Sequence, residues 1–269
     1  MIAWTLLRVA LHVLSGLFIC IVVFPRVDDA GRQAHIQRWS AALLRLFRVD
    51  LEVLRVEADG RQMPVSGVPA AAAMLEARSI IVANHVSWLD IFVINSMQPC
   101  RFVAKSDIRD WPLLGTLCIR ANTIFIARGK PRDVRKTFRN LVASVEAGER
   151  VAFFPEGTTA AQGTLLPFHA NLFEAAIDAG VPVQPLTLRY LDAEERLDSA
   201  VDYIGDTTFL ESMLVILRAK PVRAQILLLP TLSSEGAHRR VLAAAAHARI
   251  GAALGYGDVG AEARERAGA

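Results

Sequence analysis

The sequence predicts an α/β domain, with a central sheet, mostly parallel or mixed, flanked by helices. A hydrophobic pair of helices at the N-terminus is expected to attach it to a membrane. Three observations carry this expectation. Apolar, β-rich runs recur at 51–56, 79–83, 123–127, 151–154, 181–190 and 223–229. Segments with apolar residues at helical spacing alternate with these runs. The first 25 residues hold a single charged side chain, Arg8. A chain of 269 residues can bury one substantial core and still carry a terminal appendage.

The appendage comes first. From Val9 to Pro25 the chain is apolar except for His12 and Ser15. As a helix this stretch extends about 25 Å, short of a ~30 Å hydrocarbon core unless residues 1–7 contribute. A cleaved signal peptide fits less well, because the leading charge is poor and Arg26-Val27-Asp28-Asp29 is a poor cleavage neighbourhood. Arginines follow at 26, 32, 38, 45 and 48, which places the bulk of the protein on the cytoplasmic side. Between Ala34 and Phe47, Ile36, Trp39, Leu43 and Phe47 share one helical stripe while Arg38 and Arg45 fall elsewhere. Two readings fit: a helix in the headgroup layer with Trp39 as interfacial anchor, or an amphipathic helix packed on the domain. Residues 1–48 are therefore assigned to anchoring, 49–254 to the α/β domain and 255–269 to a frayed, disordered tail.

Within the domain, strand 51–56 is followed by Gly60–Ala77, whose prolines, glycines and alanines suggest a surface insertion. Strand 79–83 leads to a helix opening near Ser87. The short run Arg101–Ala104 ends at Lys105, and strand 123–127 ends at Arg128. Val134, Phe138, Leu141 and Val145 form a helical stripe stopped by Gly148, a C′ position. Strand 151–154 opens into Pro155-Glu156-Gly157-Thr158. Further helices are expected over 168–179 (stopped by Gly180), 208–217 and the Ala-rich 234–254, with strands 181–190 and 223–229 between them.

Composition narrows the class. Hydrophobic residues make up 53% of the chain, high for a freely soluble domain. Cys20, Cys100 and Cys118 lie far apart, which argues against a disulfide framework or zinc site and fits a reducing compartment. A net charge of +3 identifies no partner, but ten Lys or Arg against three Asp between Arg101 and Arg139 form a basic section. Such a section can attract phosphates or simply be a solvated helix face. Between Leu191 and Glu211 seven acids face Arg196 alone.

The chemistry-bearing stretch is Ser79–Asp90, S-I-I-V-A-N-H-V-S-W-L-D. It delivers His85 to a strand end and Asp90 five residues later. If the helix begins between them, with Ser87 as N-cap, Asp90 at N3 points back toward His85. It can then fix the imidazole tautomer and stabilise the imidazolium formed when Nε2 takes a proton. Ser87-Trp88-Leu89-Asp90 is equally an [ST]-x-x-[DE] capping box, so a purely structural role for Asp90 stands beside the catalytic one. Ser87 as a nucleophile is disfavoured, since no G-x-S-x-G elbow occurs. In the second turn, Gly157 permits unusual backbone, and turn N–H groups with the Thr158 hydroxyl can hold an oxyanion or phosphate. A plain strand-to-helix turn is the alternative. Lys105 and Arg128 are cations at strand ends, where open α/β sheets bind ligands, or else surface charges. His12, His35, His169, His238 and His247 show no metal-like spacing, so no metal is expected.

The order N-H-V-S-W-L-D, T-I-F-I-A-R, F-P-E-G-T and V-P-V-Q-P-L resembles the four motif blocks of the glycerolipid acyltransferases, in particular the bacterial 1-acylglycerol-3-phosphate (lysophosphatidic acid) acyltransferases. The family's histidine–x4–aspartate signature falls on His85 and Asp90, its second block on Ile124–Arg128, its third on Phe154–Thr158 and its fourth on Val181–Leu186. Lys105 and Trp111–Gly115 look like the connecting segment, and the resemblance spans about Ser79 to Tyr190. Two departures stand out: Thr159 occupies a position that is usually arginine, and Asn122 one that is usually glycine. The F-P-E-G-T-T form resembles the branch that acylates lyso-ornithine lipids.

The resemblance implies a membrane-bound enzyme on the cytoplasmic face of the inner membrane. It would move an acyl chain from acyl-CoA or acyl-carrier protein to the free hydroxyl of 1-acylglycerol-3-phosphate, giving phosphatidic acid, with lyso-ornithine lipid or another lysolipid as alternative acceptor. It implies His85 as general base and Asp90 as its orienting partner. Lys105, Arg128, Glu156, Gly157 and Thr158 would lie at the acceptor's headgroup, with Glu156 pairing Arg128 or bonding an acceptor hydroxyl. No cofactor and no nucleic acid are implied. A non-catalytic lipid-binding protein and a thioester or ester hydrolase are the competing classes.

Overall fold

The computed structural model describes residues 2–57, 59–76, 78–111, 113–126 and 131–256, with the side chains of 131–137 left aside. Helix α1 (Ile2–Phe18) continues through a π-turn (Ile19–Val23) and a 3-10 turn (Phe24–Arg26) as one helical run of 25 residues. At 1.5 Å per residue it reaches ~37 Å, so residues 2–7 do supply the missing length. Helix α2 (Asp29–Leu46) starts earlier than the apolar stripe suggested, because Asp28 caps it by accepting from Gly31 N at 2.8 Å.

Trp39 is turned inward rather than outward. Its Nε1 donates to His12 O at 3.0 Å, His12 Nε2 contacts Trp39 O at 3.0 Å, and the two rings stack at 4.4 Å. Gly16 makes room beneath them, since a Cβ there would lie 2.8 Å from Trp39 Nε1. Trp39 therefore joins α1 to α2 instead of anchoring a headgroup. The opposite face of α1 and the turn after it leaves Trp4, Leu7, Leu11, Leu14, Phe18 and Ile21 exposed in one stripe.

Eight strands form one sheet: β1 (Val49–Val56), β2 (Gln62–Pro64), β3 (Ile80–Ala83), β4 (Arg101–Lys105), β5 (Ile124–Ile126), β6 (Val151–Phe153), β7 (Val183–Leu191) and β8 (Val222–Leu228). The order is β2-β1-β8-β7-β3-β6-β4-β5. Pairing is antiparallel at β1–β2 and β7–β8 and parallel elsewhere, a mixed sheet. Helices α3 (Val68–Met74), α4 (Leu89–Met97), α5 (Leu114–Arg120), α6 (Pro131–Glu146), α7 (Glu174–Asp178), α8 (Phe209–Arg218) and α9 (Arg239–Leu254) complete the described α-helices.

The period-2 alternation of the strands builds two cores. Ile81, Ala83, Leu186 and Leu188 face α2, α4 and α8 through Leu43, Leu44, Val93, Met97 and Ile216. Ile80, Val82, Val151 and Phe153 face α6 and α9 through Leu141, Val145, Leu242 and Ile250. Leu43, Leu44 and Phe47 share the first core, so α2 is built into the domain.

Local differences from the sequence expectation have local causes. The segment 60–77 is more than a surface insertion. Gln62–Pro64 pairs with β1, and the alanines form α3, which carries Pro69 in its first turn and buries Ala71 completely. The helix expected over 168–179 splits into a 3-10 turn (Ala170–Phe173) and α7. Helix α9 begins at Arg239 rather than at Ser234, and α5 had no distinguishing stripe in the sequence. Tyr256, assigned to the tail, is packed against the second core and accepts from Gly163 N at 2.8 Å.

Candidate active site

Strands β3, β6, β4 and β5 lie side by side and parallel, so their carboxyl ends open on one edge of the sheet. That edge is where ligands bind in open α/β sheets. His85 leaves β3, Pro155–Thr158 leave β6, and half-buried Lys105 ends β4 opposite Ile126 of β5. Three of the sequence features are thus carried to one edge by neighbouring strands. Arg128 lies outside the described residues, two positions beyond the end of β5.

The crevice exists because β3 stops early. Its pairing with β7 ends at Ala83–Leu186, while β7 runs on to Leu191. Beyond that point two carboxamides replace the missing strand. Asn84 donates to Leu188 O at 2.8 Å and accepts from Leu188 N at 2.7 Å. Gln162 accepts from Tyr190 N at 2.6 Å and donates to Tyr190 O at 3.2 Å. Buried strand amides must be satisfied, and these side chains do it while leaving space for a loop to turn.

That loop carries the histidine–aspartate pair. Helix α4 starts at Leu89 with Trp88 as its N-cap, one residue later than the Ser87 N-cap expected, and among the described residues Ser87 Oγ has no hydrogen-bond partner. Asp90, fully buried in the first turn of α4, accepts on Oδ2 from His85 Nδ1 at 2.8 Å, Val86 N at 2.7 Å and Ser87 N at 2.9 Å. The two roles weighed in the sequence therefore coexist: one carboxylate satisfies loop amides and holds the imidazole. Its other oxygen, Oδ1, accepts from the Tyr190 hydroxyl at 2.6 Å.

With Nδ1–H directed at Asp90, Nε2 is the basic nitrogen of His85, and among the described residues it makes no hydrogen bond. The side chain keeps 18% of its exposure, stacked on Phe154 at 3.9 Å and 6°. Its backbone is fixed as well: His85 N donates to Glu156 Oε1 at 2.7 Å, and His85 O accepts from Ala160 N at 2.8 Å.

Glu156 has partners that the sequence did not announce. It is buried, with Oε1 on His85 N and Oε2 on Leu166 N at 2.8 Å, and the pairing expected with Arg128 falls on a residue outside those described. Burial pushes its carboxyl up from 4.5 to about 7, with the Asp90 charge adding to the rise, against the two amide donors. Gly157 has φ +70°, and a Cβ there would meet His169 Cδ2 at 3.2 Å, so glycine is required. Its N–H donates to Phe154 O at 3.1 Å, and Thr158 beside it is exposed. Thr159 donates its hydroxyl to Tyr203 O, and Tyr203 N donates to Val86 O at 3.1 Å, pinning the segment after β7 beside the histidine loop.

Sequence reasoning missed Tyr190, Asn84 and Gln162. Tyr190 lies in an apolar strand, 100 residues from its partner, and no local spacing announces it. A tyrosine within a buried run is the only signal, because its hydroxyl needs a buried acceptor.

A mixed α/β sheet with a buried aspartate presenting an imidazole at its carboxyl edge defines a class of sites that can accept a proton at Nε2, and comparison narrows it. Residues 60–189 match a family model described as Acyltransferase. This segment is a domain of the acyltransferase family. The chain is 45% identical to a 1-acyl-sn-glycerol-3-phosphate acyltransferase of Neisseria gonorrhoeae over 42% of this chain and 44% of that one, so the match spans less than half of that relative's length. It is 37% identical to the lyso-ornithine lipid O-acyltransferase of Pseudomonas aeruginosa over 64% of this chain and 66% of the relative. The identity is 29% with that of Rhodobacter capsulatus over 91% and 87%. The crystal structure of the LPA acyltransferase PlsC from Thermotoga maritima shares the fold, with a TM-score of 0.59 at 19% identity over 93% of this chain and 96% of that one.

Proposed function

We propose that this chain is a membrane-bound O-acyltransferase that moves an acyl group from acyl-CoA or acyl-carrier protein to the free hydroxyl of 1-acylglycerol-3-phosphate, giving phosphatidic acid. The observation that supports it most is the imidazole whose Nδ1 is held by a buried carboxylate and whose Nε2 is left for substrate. In this reading His85 Nε2 takes the hydroxyl proton as the oxygen attacks the thioester carbonyl. The tetrahedral intermediate collapses with loss of the thiolate, which takes the proton back from the imidazolium. Products are the ester and the free thiol, and no acyl-enzyme or cofactor is required. Asp90 stabilises the transient cation. Lys105, with Arg128, holds the acceptor's anionic headgroup near the Thr158 hydroxyl.

A second acceptor, lyso-ornithine lipid, is favoured by Thr159. Its hydroxyl is tied to Tyr203 O where a family arginine would offer a phosphate cation. The Pseudomonas and Rhodobacter relatives, which align over longer stretches than the Neisseria enzyme, carry that name.

The exposed apolar stripe Trp4–Leu7–Leu11–Leu14–Phe18–Ile21 supports membrane attachment through α1, with the domain on the cytoplasmic side of the inner membrane.

Incubating the purified protein with labelled acyl-CoA and a panel of lysolipids, with product mass as readout, tests the reading. His85→Ala is expected to lower transfer by about 10²–10⁴-fold with the circular dichroism spectrum unchanged. Transfer undiminished in that variant removes the base. Donor cleavage without acceptor would point to a hydrolase, and lipid binding without turnover to a non-catalytic protein.

A further inference from the structure

We propose that Tyr190 is the positioning residue of the His85–Asp90 pair: its hydroxyl fixes the buried carboxylate and moderates how strongly that carboxylate holds the imidazole. The proposal rests on the reading of His85 as base, and nothing in the sequence motifs points to it. Three observations converge on this tyrosine.

The first is the bond itself. Tyr190 is completely buried, and its hydroxyl meets Asp90 Oδ1 at 2.6 Å, the short range of a charge-assisted O–H···O⁻ contact. Oδ2 serves three donors, and among the described residues Oδ1 is served by Tyr190 alone. Phenylalanine would fill the same strand position, so the hydroxyl answers a need of the carboxylate rather than of packing.

The second is how the phenol is held. On one side Tyr190 pairs with Ala224 of β8. On the other, where β3 has ended, the Gln162 carboxamide closes both its N–H and its C=O and also donates to Asp198 O at 2.9 Å. Gln162 follows closely on the F-P-E-G-T-T turn, so the turn clamps the tyrosine that clamps the aspartate that clamps the histidine.

The third is chemical. Burial and the Asp90 charge hold the phenol protonated well above its ordinary range, so it donates at every working pH and no proton moves through it. A donor on Oδ1 withdraws negative charge from Oδ2. The imidazolium is then less stabilised than it would be beside a carboxylate lacking that donor. The same bond prevents rotation of the carboxylate away from Nδ1. The other carboxyls whose fields reach Asp90 are Glu156 and Asp202.

The test uses the full chain and does not depend on turnover. Histidine ring signals are followed by NMR across pH in the wild type and in Tyr190→Phe, with His85 assigned by its loss in His85→Ala. The His85 titration is expected to move upward by about half to one pH unit in Tyr190→Phe. If the protein transfers acyl groups, the acid limb of kcat/KM should move with it, and kcat should fall several-fold while acceptor KM stays close to wild type. Gln162→Leu keeps the phenol and loosens its backbone, which covers a phenylalanine variant that does not fold; a smaller upward shift is expected there. A His85 titration that stays put in the folded variants overturns the proposal even if activity falls, because that pattern belongs to a structural tyrosine. A moved titration in a protein that turns over no lysolipid would sustain the positioning and sink only the assigned reaction.

Discussion

Glu156 is the residue at which pH should act most visibly. Its carboxyl titrates at about 7 in the folded chain against an ordinary 4.5. A carboxyl raised on folding contributes fully to stability below 4.5, and that contribution is lost as pH rises through 7. The wild type should therefore lose melting temperature between about pH 5 and pH 8, and Glu156→Gln should flatten that slope. The same variant leaves either His85 N or Leu166 N facing an amide NH2 instead of an oxygen, at a cost of about 1–3 kcal/mol. Melting curves at the two pH values read both effects, and an identical slope in the variant would show that Glu156 does not titrate there. That His85 and Asp90 meet was legible because the block that holds both is short and contiguous. The amide partners of Glu156 were not, since a carboxylate that binds two backbone amides far apart in sequence leaves no pattern in one dimension.

Among the elements, the ends of the strands decide the site. Every apolar, β-rich run within the domain became a strand within a residue or two, because buried strands are written as short β-branched stretches. What those runs concealed is that β7 outlasts β3 and needs side chains to finish its ladder. Asn84→Leu should expose this dependence: it leaves Leu188 N and Leu188 O without partners in a buried strand. A loss of about 2–4 kcal/mol in denaturant unfolding is expected, larger than the ordinary cost of one substitution. A loss below about 1 kcal/mol would mean that water or a shifted backbone replaces the carboxamide. The less legible elements were those without a stripe. Helices α3 and α5 are short, and α3 is built of alanines whose helical preference is hidden among prolines and glycines.

For the whole molecule, the outer stripe of α1 makes the clearest test. Replacing Leu11 and Leu14 together with glutamate removes two exposed leucines from the face proposed to meet lipid. At roughly 1.5–3 kcal/mol per leucine side chain, binding to anionic vesicles should fall by about two orders of magnitude or more. The domain should still melt as before, because neither residue belongs to its cores. Unchanged sedimentation with vesicles would assign that stripe to another partner. The periodicity of residues 1–48 foretold two helices. It could not foretell that they lock together, because the lock is a tryptophan over a glycine 23 positions away.

That lock joins two things usually thought separate. The His12–Trp39 stack fastens α1 to α2, Phe92 of α4 packs against the same tryptophan, and α4 carries Asp90 in its first turn. If α1 settles in a lipid layer as proposed, its depth is therefore transmitted to the imidazole as a fixed height. The protein would then work as a ruler standing on the bilayer, the reach from the lipid surface to Nε2 being a dimension of the chain itself.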